Sequence, residues 1–218
     1  MPPNVEFNKQ QAIPSEAPYD ASKLAGKSVI ITGGASGIGE AAMRAFVRAG
    51  AFVTFGDIAE ERAQKLVNEL GKDKVAFVLC NVLSWADQLR LFKTALKKSP
   101  SRTIDVVIAN AGLNRQDEVF VQKETEDGDP LEPSLDILQI NLVGVTYTAK
   151  LSMFYLSKQP EGEGRDRCLL MTASLAAYVD LTVSPQYSAS KWGVRGLMHS
   201  LRRCGPSKGI RVNVVAPW

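Results

Sequence analysis

S-V-I-I-T-G-G-A-S-G-I-G, residues 28–39, opens as an apolar run, breaks on glycine and leads into helical spacing. Ser28 to Thr32 is short and β-branched, the pattern of a strand buried on both faces. Ile38, Ala41, Ala42, Ala45, Phe46 and Ala49 then fall on one side of a helix. Glycines 33, 37 and 39 divide the work of the turn between them. One supplies positive φ, one lets the backbone approach a phosphate, and one lets helix and strand pack closely. A helix starting here points its free N–H groups and positive dipole end at an anion. Strand, glycine loop and helix in this order form the context that a dinucleotide site requires.

The alternation continues along the chain. Apolar runs at 52–57, 75–80, 104–109, 167–172 and 210–215 read as five more strands. Helical patterns fill 60–70, 84–98, about 134–157 and 187–204. Strands that are apolar throughout, separated by helices, predict an α/β fold: one doubly wound parallel sheet of the Rossmann type, in a single domain. Right-handed crossovers give the strand order 3-2-1-4-5-6. Residues 1–23, with four prolines, are expected to be an N-terminal arm, and 24–218 the nucleotide-binding domain. Two irregular stretches, the acidic 113–133 and the charged turn 160–166, are expected to be surface loops. The first is the candidate to line a cleft.

The 218 residues are 45% hydrophobic and 22% charged, as in a globular domain, and carry a formal net charge of +3. That charge is too small to suggest nucleic acid or an anionic membrane as a partner. Cys80, Cys168 and Cys204 are dispersed and His199 stands alone, which predicts no metal site. Cys80 and Cys168 lie in strand patterns as small buried hydrophobes, and His199 reads as a surface residue. No apolar run reaches 18 residues, so no membrane span is expected. Without a signal-like start, a cytoplasmic protein is the expectation.

Candidate chemistry lies further along. In Q-Y-S-A-S-K (186–191), Tyr187 and Lys191 are four residues apart, one above the other on a helix. Alone, such a pair is usually a solvated helix face; the glycine loop upstream reverses that reading. A lysine ammonium one turn away favours the phenolate, so Tyr187 could exchange a proton with a hydroxyl or ketone. Asp57 closes the second strand, 18 residues after Gly39. A carboxylate there can accept the adenosine ribose hydroxyls and repel a 2′-phosphate, which favours NAD over NADP. It could also cap the helix that follows. Ser174 sits just past the fifth strand, where a hydroxyl could orient a substrate oxygen. Asn141 interrupts an apolar helix and needs hydrogen-bond partners, as an internal bond at a helix kink would supply.

T-G-G-A-S-G-I-G (32–39), N-A-G (110–112), Asn141, Ser174 and Y-S-A-S-K (187–191), in this order, resemble the short-chain dehydrogenase/reductase family, from about Lys23 to the end. The resemblance implies an NAD(H)-dependent oxidoreductase that interconverts a secondary alcohol and a ketone by hydride transfer. It implies Tyr187 as acid/base, Ser174 and Lys191 beside it, and Asn141 holding a water that links Lys191 to solvent. It implies a cofactor bound by Gly33, Ala35, Ser36, Gly37, Ile38 and Gly39, by Asp57 and Ile58, and by Asn110, Ala111 and Gly112. Tyr187, Lys191 and Pro217 complete that set. Asn81-Val82 stands where relatives have Asp-Val; an asparagine carbonyl can accept the same adenine hydrogen bond. The F-G-D-I strand end is similar to NAD-dependent oxidising branches, such as hydroxyprostaglandin dehydrogenase and dehydrogenases of hydroxylated polyketides. Packing in the family further implies a homodimer or homotetramer. Relatives usually continue for thirty or more residues past Pro217, with a substrate lid and a last strand. The chain therefore reads as truncated or as a natural short variant, with that last strand missing. A second reading follows: a nucleotide-binding scaffold or sensor without turnover.

Overall fold

The computed structural model describes residues 20–159, 166–182 and 184–218. Among them, β1 (Ser28–Thr32), β2 (Phe52–Asp57), β3 (Val75–Leu79), β4 (Val106–Ala109), β5 (Arg167–Thr172) and β6 (Ile210–Val215) form one sheet in the order β3-β2-β1-β4-β5-β6. Every neighbouring pair is parallel. The chain moves outward from β1 to β3, then returns to set β4 on the other side of β1. The carboxyl ends of β1 and β4 therefore diverge into a crevice, where open α/β sheets bind ligands.

Alternation along β1 explains the two layers of core. Ile30 faces one cluster with Leu91, Phe92, Val107, Ala149 and Val194. Val29 and Ile31 face the other, with Met43, Val53, Phe55, Leu66 and Val67. Helices α1 (Gly37–Arg48) and α2 (Glu60–Leu70) cover that second face. Helices α3 (Trp85–Lys98), α5 (Val145–Ser157) and α6 (Pro185–Cys204) cover the first.

Burial on both faces holds for the inner strands and fails at the edges. In β6, Ile210 and Val212 are buried while Arg211 and Asn213 are exposed, and β3 exposes Leu79. Each edge strand has a neighbour on one side only, so less of it is covered. β3 ends one residue early and β4 starts two residues late relative to the hydropathy pattern.

The helix expected over 134–157 is not one α-helix. It opens as α4 (Asp136–Leu138), widens into a π turn (Gln139–Gly144), and resumes as α5. Asn141 lies inside the π turn and is fully buried. Hydropathy spacing cannot detect this, because one inserted residue barely shifts the apolar stripe.

Of the expected N-terminal arm, only its last residues fall among those described, and Ala21–Leu24 form a 3-10 turn capped by Asp20. The 160–166 turn lies outside the described residues except Asp166, which pairs with Arg211. The 113–133 segment is not simply solvated: Asp117 is buried and accepts the backbone N–H groups of Val119 (3.0 Å) and Gln186 (2.6 Å). Cys80 and Cys168 are buried; Cys204 and His199 are exposed. Among the described residues, no helix is long and apolar enough to cross a membrane, and no three His, Cys, Asp or Glu side chains cluster to hold a metal.

Candidate active site

A cleft of about 620 Å³ opens at the carboxyl ends of the strands. Its nucleotide end is walled by Gly33, Ser36, Gly37 and Ile38, then by Asp57 and Ile58, then by Asn81 and Val82. Asn110, Ala111 and Gly112 form its floor, and Ser174, Tyr187, Lys191 and Pro217 its far end. Of the residues singled out in the sequence, Ala35, Gly39 and Asn141 do not line it. Each of the three supports a residue that does.

Gly33 has φ +67°, and a β-carbon there would stand 2.8 Å from the Cα of Ala111. A β-carbon on Gly39 would sit on the Gly33 carbonyl oxygen and 2.6 Å from the Asn110 amide nitrogen. The loop can close against β4 only if both positions lack side chains. Asn110 then fastens the two strand ends. Its Nδ2 donates to the carbonyls of Thr32 (3.1 Å) and Gly33 (3.2 Å), and its N–H to Thr32 Oγ1 (3.0 Å).

Asp57 ties the loop to the next unit. Oδ2 accepts the Ala35 N–H at 2.8 Å, and Oδ1 the Ala59 N–H at 3.0 Å. Each carboxylate oxygen keeps a lone pair for a further donor. The side chain is thus both a turn former at the start of α2 and a negative charge on the cleft wall. Ser36 makes no side-chain cap on α1, so the first-turn N–H groups stay available where a phosphate would lie. Ile38 and Ile58, 54% and 73% exposed, offer apolar surface on the same wall. The absent β-carbons, the open helix end and the carboxylate together fit an adenine dinucleotide.

At the reacting end, Lys191 is buried, and its Nζ donates to the Thr172 carbonyl at 2.9 Å. It lies 5.5 Å from the centre of the Tyr187 ring. Burial pulls the ammonium down to about 8, because the charged form loses water. The Thr172 hydroxyl is taken up by Asn110 Oδ1 (3.3 Å), while Ser174 lines the cleft with its Oγ accepting the Ala176 N–H (3.2 Å). Asn141 is fully committed to its neighbours. Oδ1 accepts the Leu113 N–H (2.8 Å), and Nδ2 donates to Leu113 O (2.8 Å) and Ser190 Oγ (3.2 Å). It so fixes both the segment after Gly112 and the helix that carries Tyr187. Gly112 stands between: a β-carbon there would be 2.9 Å from Asn141 Oδ1 and 3.6 Å from Lys191 Nζ.

Sequence reasoning passed over several lining residues, among them Cys80, Leu113, Asn114, Ile140 and Trp218. Cys80 had a signal, since it follows a strand whose carboxyl end faces the crevice. Leu113 and Asn114 directly follow N-A-G. Ile140 reaches the cleft from the π turn, which hydropathy does not reveal.

The fold is of the doubly wound Rossmann type, with its cleft at the carboxyl ends of the strands. The chain belongs to the short chain dehydrogenase family, whose family model matches residues 27–218. It is 37% identical over 210 residues to 5′-hydroxyaverantin dehydrogenase of Dothistroma septosporum, covering 91% of this chain and 69% of that protein. It is 38% identical over 219 residues to the Emericella nidulans 5′-hydroxyaverantin dehydrogenase, covering 94% and 70%. A Cochliobolus lunatus NADP-dependent dehydrogenase is 32% identical over 208 residues, covering 91% and 72%. Among solved structures, the 3-hydroxyacyl-CoA dehydrogenase type-2 of Mycobacterium avium matches with a TM-score of 0.74 and 31% identity, covering 88% of this chain and 73% of that one. Membership and relatives support oxidoreductase chemistry on CH–OH groups with a nicotinamide cofactor.

Proposed function

We propose that this protein is an NAD(H)-dependent oxidoreductase interconverting a secondary alcohol and a ketone, with residues 24–218 as its nucleotide-binding domain. The observation that carries the reading is the single cleft that joins the glycine loop and Asp57 to Ser174, Tyr187 and Lys191. A nicotinamide held beside Tyr187 and Lys191 would supply the hydride chemistry at the alcohol or ketone carbon. Tyr187 takes the proton from the substrate hydroxyl, and in the reverse direction gives it to the carbonyl oxygen. Ser174 hydrogen-bonds that oxygen and steadies the charge that develops on it. Lys191, held by the Thr172 carbonyl, supplies the neighbouring positive charge and a donor for the nicotinamide ribose. Asn141 would hold the water that links Lys191 to solvent, its side-chain amide being engaged by Leu113 and Ser190.

Asp57 supports NAD over NADP: its carboxylate oxygens are held by two backbone N–H groups, and the negative charge repels a 2′-phosphate. The reading also takes the protein to work as a homodimer or homotetramer in the cytoplasm. NADH and NADPH titrations followed by nucleotide fluorescence test the cofactor. A panel of secondary alcohols headed by 5′-hydroxyaverantin, the compound in the names of two relatives, tests the reaction. Preferential NADH binding with reduction of NAD⁺ by at least one alcohol is expected. Equal binding of NADPH would overturn the cofactor assignment, and binding without any turnover would overturn the enzyme assignment.

A further inference from the structure

Beyond Tyr187 and Lys191, the α6 side chain Arg195 reaches the turn that follows Ser174. Arg195 lies four residues after Lys191 and eight after Tyr187, so the three rise along one helix face. Its Nη1 donates to the Ala177 carbonyl at 2.8 Å. Its guanidinium carbon lies 4.1 Å from the centre of the Tyr178 ring and 5.0 Å from that of Trp192. A planar cation bracketed by two aromatic faces loses freedom that a lone surface arginine keeps.

What Arg195 grips is the continuation of Ser174. The Ser174 hydroxyl caps the 3-10 turn Leu175–Ala177, and its carbonyl accepts the Ala177 N–H at 2.9 Å. On the opposite side the same segment hangs from the end of β6. The Ala173 N–H donates to Val215 O (2.8 Å), and the Leu175 N–H to Pro217 O (3.0 Å). β6 is an edge strand, paired on one side by β5 alone. The Ser174 turn is therefore held from below by an edge and from the side by the helix that carries Tyr187. Arg195 supplies the side attachment with a hydrogen bond to Ala177 and a contact with the Tyr178 ring, while Trp192, on the same helix, backs its guanidinium.

We propose that Arg195 is a positioning residue that sets the Ser174 hydroxyl against the Tyr187 phenol, by fastening the Ser174 turn to α6. The proposal rests on the reading of Ser174 and Tyr187 as the pair that handles the substrate oxygen. A displacement of about 1 Å in such a pair can cost on the order of 10²-fold in rate. Arg195 would act through Ser174 and leave the nucleotide end alone.

Two measurements on the whole protein test this with Arg195→Met, which keeps the apolar stem and removes charge and donors. The first is amide hydrogen exchange, which needs no substrate. The Ala177 and Tyr178 amides should exchange at least about tenfold faster than in wild type, while those of β5 and the glycine loop stay unchanged. Unchanged exchange at Ala177 and Tyr178 overturns the proposal, and so does faster exchange spread over the sheet. The second is a double-mutant cycle on kcat with 5′-hydroxyaverantin and NAD⁺, or with another panel alcohol that wild type oxidises. Arg195→Met should lower kcat about tenfold with KM for NAD⁺ within about twofold, and should add nothing in a Ser174→Ala background. Additive losses, or a loss seen chiefly in KM for NAD⁺, overturn it. Wild type that binds NADH but oxidises no alcohol sinks the functional reading instead, and the exchange result still decides whether Arg195 holds the turn.

Discussion

At the nucleotide end of the cleft, the contacts are made by backbone and by missing side chains. Gly33 and Gly39 leave room, α1 offers free N–H groups, and the Asp57 carboxylate sits on two amides. At the far end, side chains tie distant segments together, beside the backbone bonds that hold the Ser174 turn. Asn141 joins Leu113 to Ser190, Asp117 reaches Gln186 across 69 residues, and Gln186 donates to the Ser134 carbonyl. The first end is a local motif repeated in space. The second is an assembly of four segments around α6. Damage at the first should therefore appear as lost nucleotide binding, and damage at the second as lost turnover with binding kept.

The sharpest break in that contrast is Tyr187→Phe. It should lower turnover by about 10³-fold or more, within the range for a general acid–base group, and leave the NADH dissociation constant within about threefold. Steady-state kinetics beside a fluorescence titration check both halves; wild-type turnover would remove Tyr187 from the chemistry.

A buried charge at the reacting end should also mark stability. Lys191 titrates near 8 in the fold and near ~10.4 in the unfolded chain, so the unfolded state binds more protons between those values. Stability of the nucleotide-free protein should therefore rise with pH from about 8 to about 10.4, and lack this increment below 8. The increment is about 3 kcal/mol. Urea unfolding at pH 7.5 and 10 should show it in wild type relative to Lys191→Met. A difference that stays constant with pH would mean that the ammonium is not desolvated.

Gly33→Ala tests the opposite end. The left-handed φ and the contact with Ala111 would cost about 2 kcal/mol; the free loop relieves this by opening, so NADH binding, which needs the loop closed, should weaken about thirtyfold. Calorimetric titration checks this, and unchanged affinity would mean that the loop closes some other way. Asp57→Ser gives the smallest effect. NADPH affinity relative to NADH should rise about tenfold, as the repelling charge leaves while a hydroxyl remains. An unchanged ratio would move cofactor choice away from Asp57.

How much of this could be read from residues alone follows the same division. Strand limits 28–32, 52–57 and 167–172, and the sheet order, were legible because inner strands have no polar face to confuse the pattern, and 210–215 was legible because its valines and isoleucine alternate with polar residues as in a half-covered edge strand. The glycine loop and Asp57 were legible because 22 residues separate Ala35 from its acceptor and one strand–helix unit holds both. The π turn, the buried Asp117, and Leu113 and Asn114 in the cleft wall were not. Each depends on which distant segment lies against it. Arg195 is not marked by any motif in the sequence; Ala177, Tyr178 and Trp192 around it single it out.

The sheet, its order, the glycine loop and the spacing that stacks Tyr187 over Lys191 are written in the residues themselves. Those rest on local periodicity, glycine stereochemistry and helix geometry, which act over a few residues. The tertiary structure decided that Lys191 is desolvated against Thr172, that Asn141 is held in a π turn, and that the Ser174 turn is fastened to α6. Burial and hydrogen-bond partners are properties of packed neighbours, and a chain read in one dimension does not contain them.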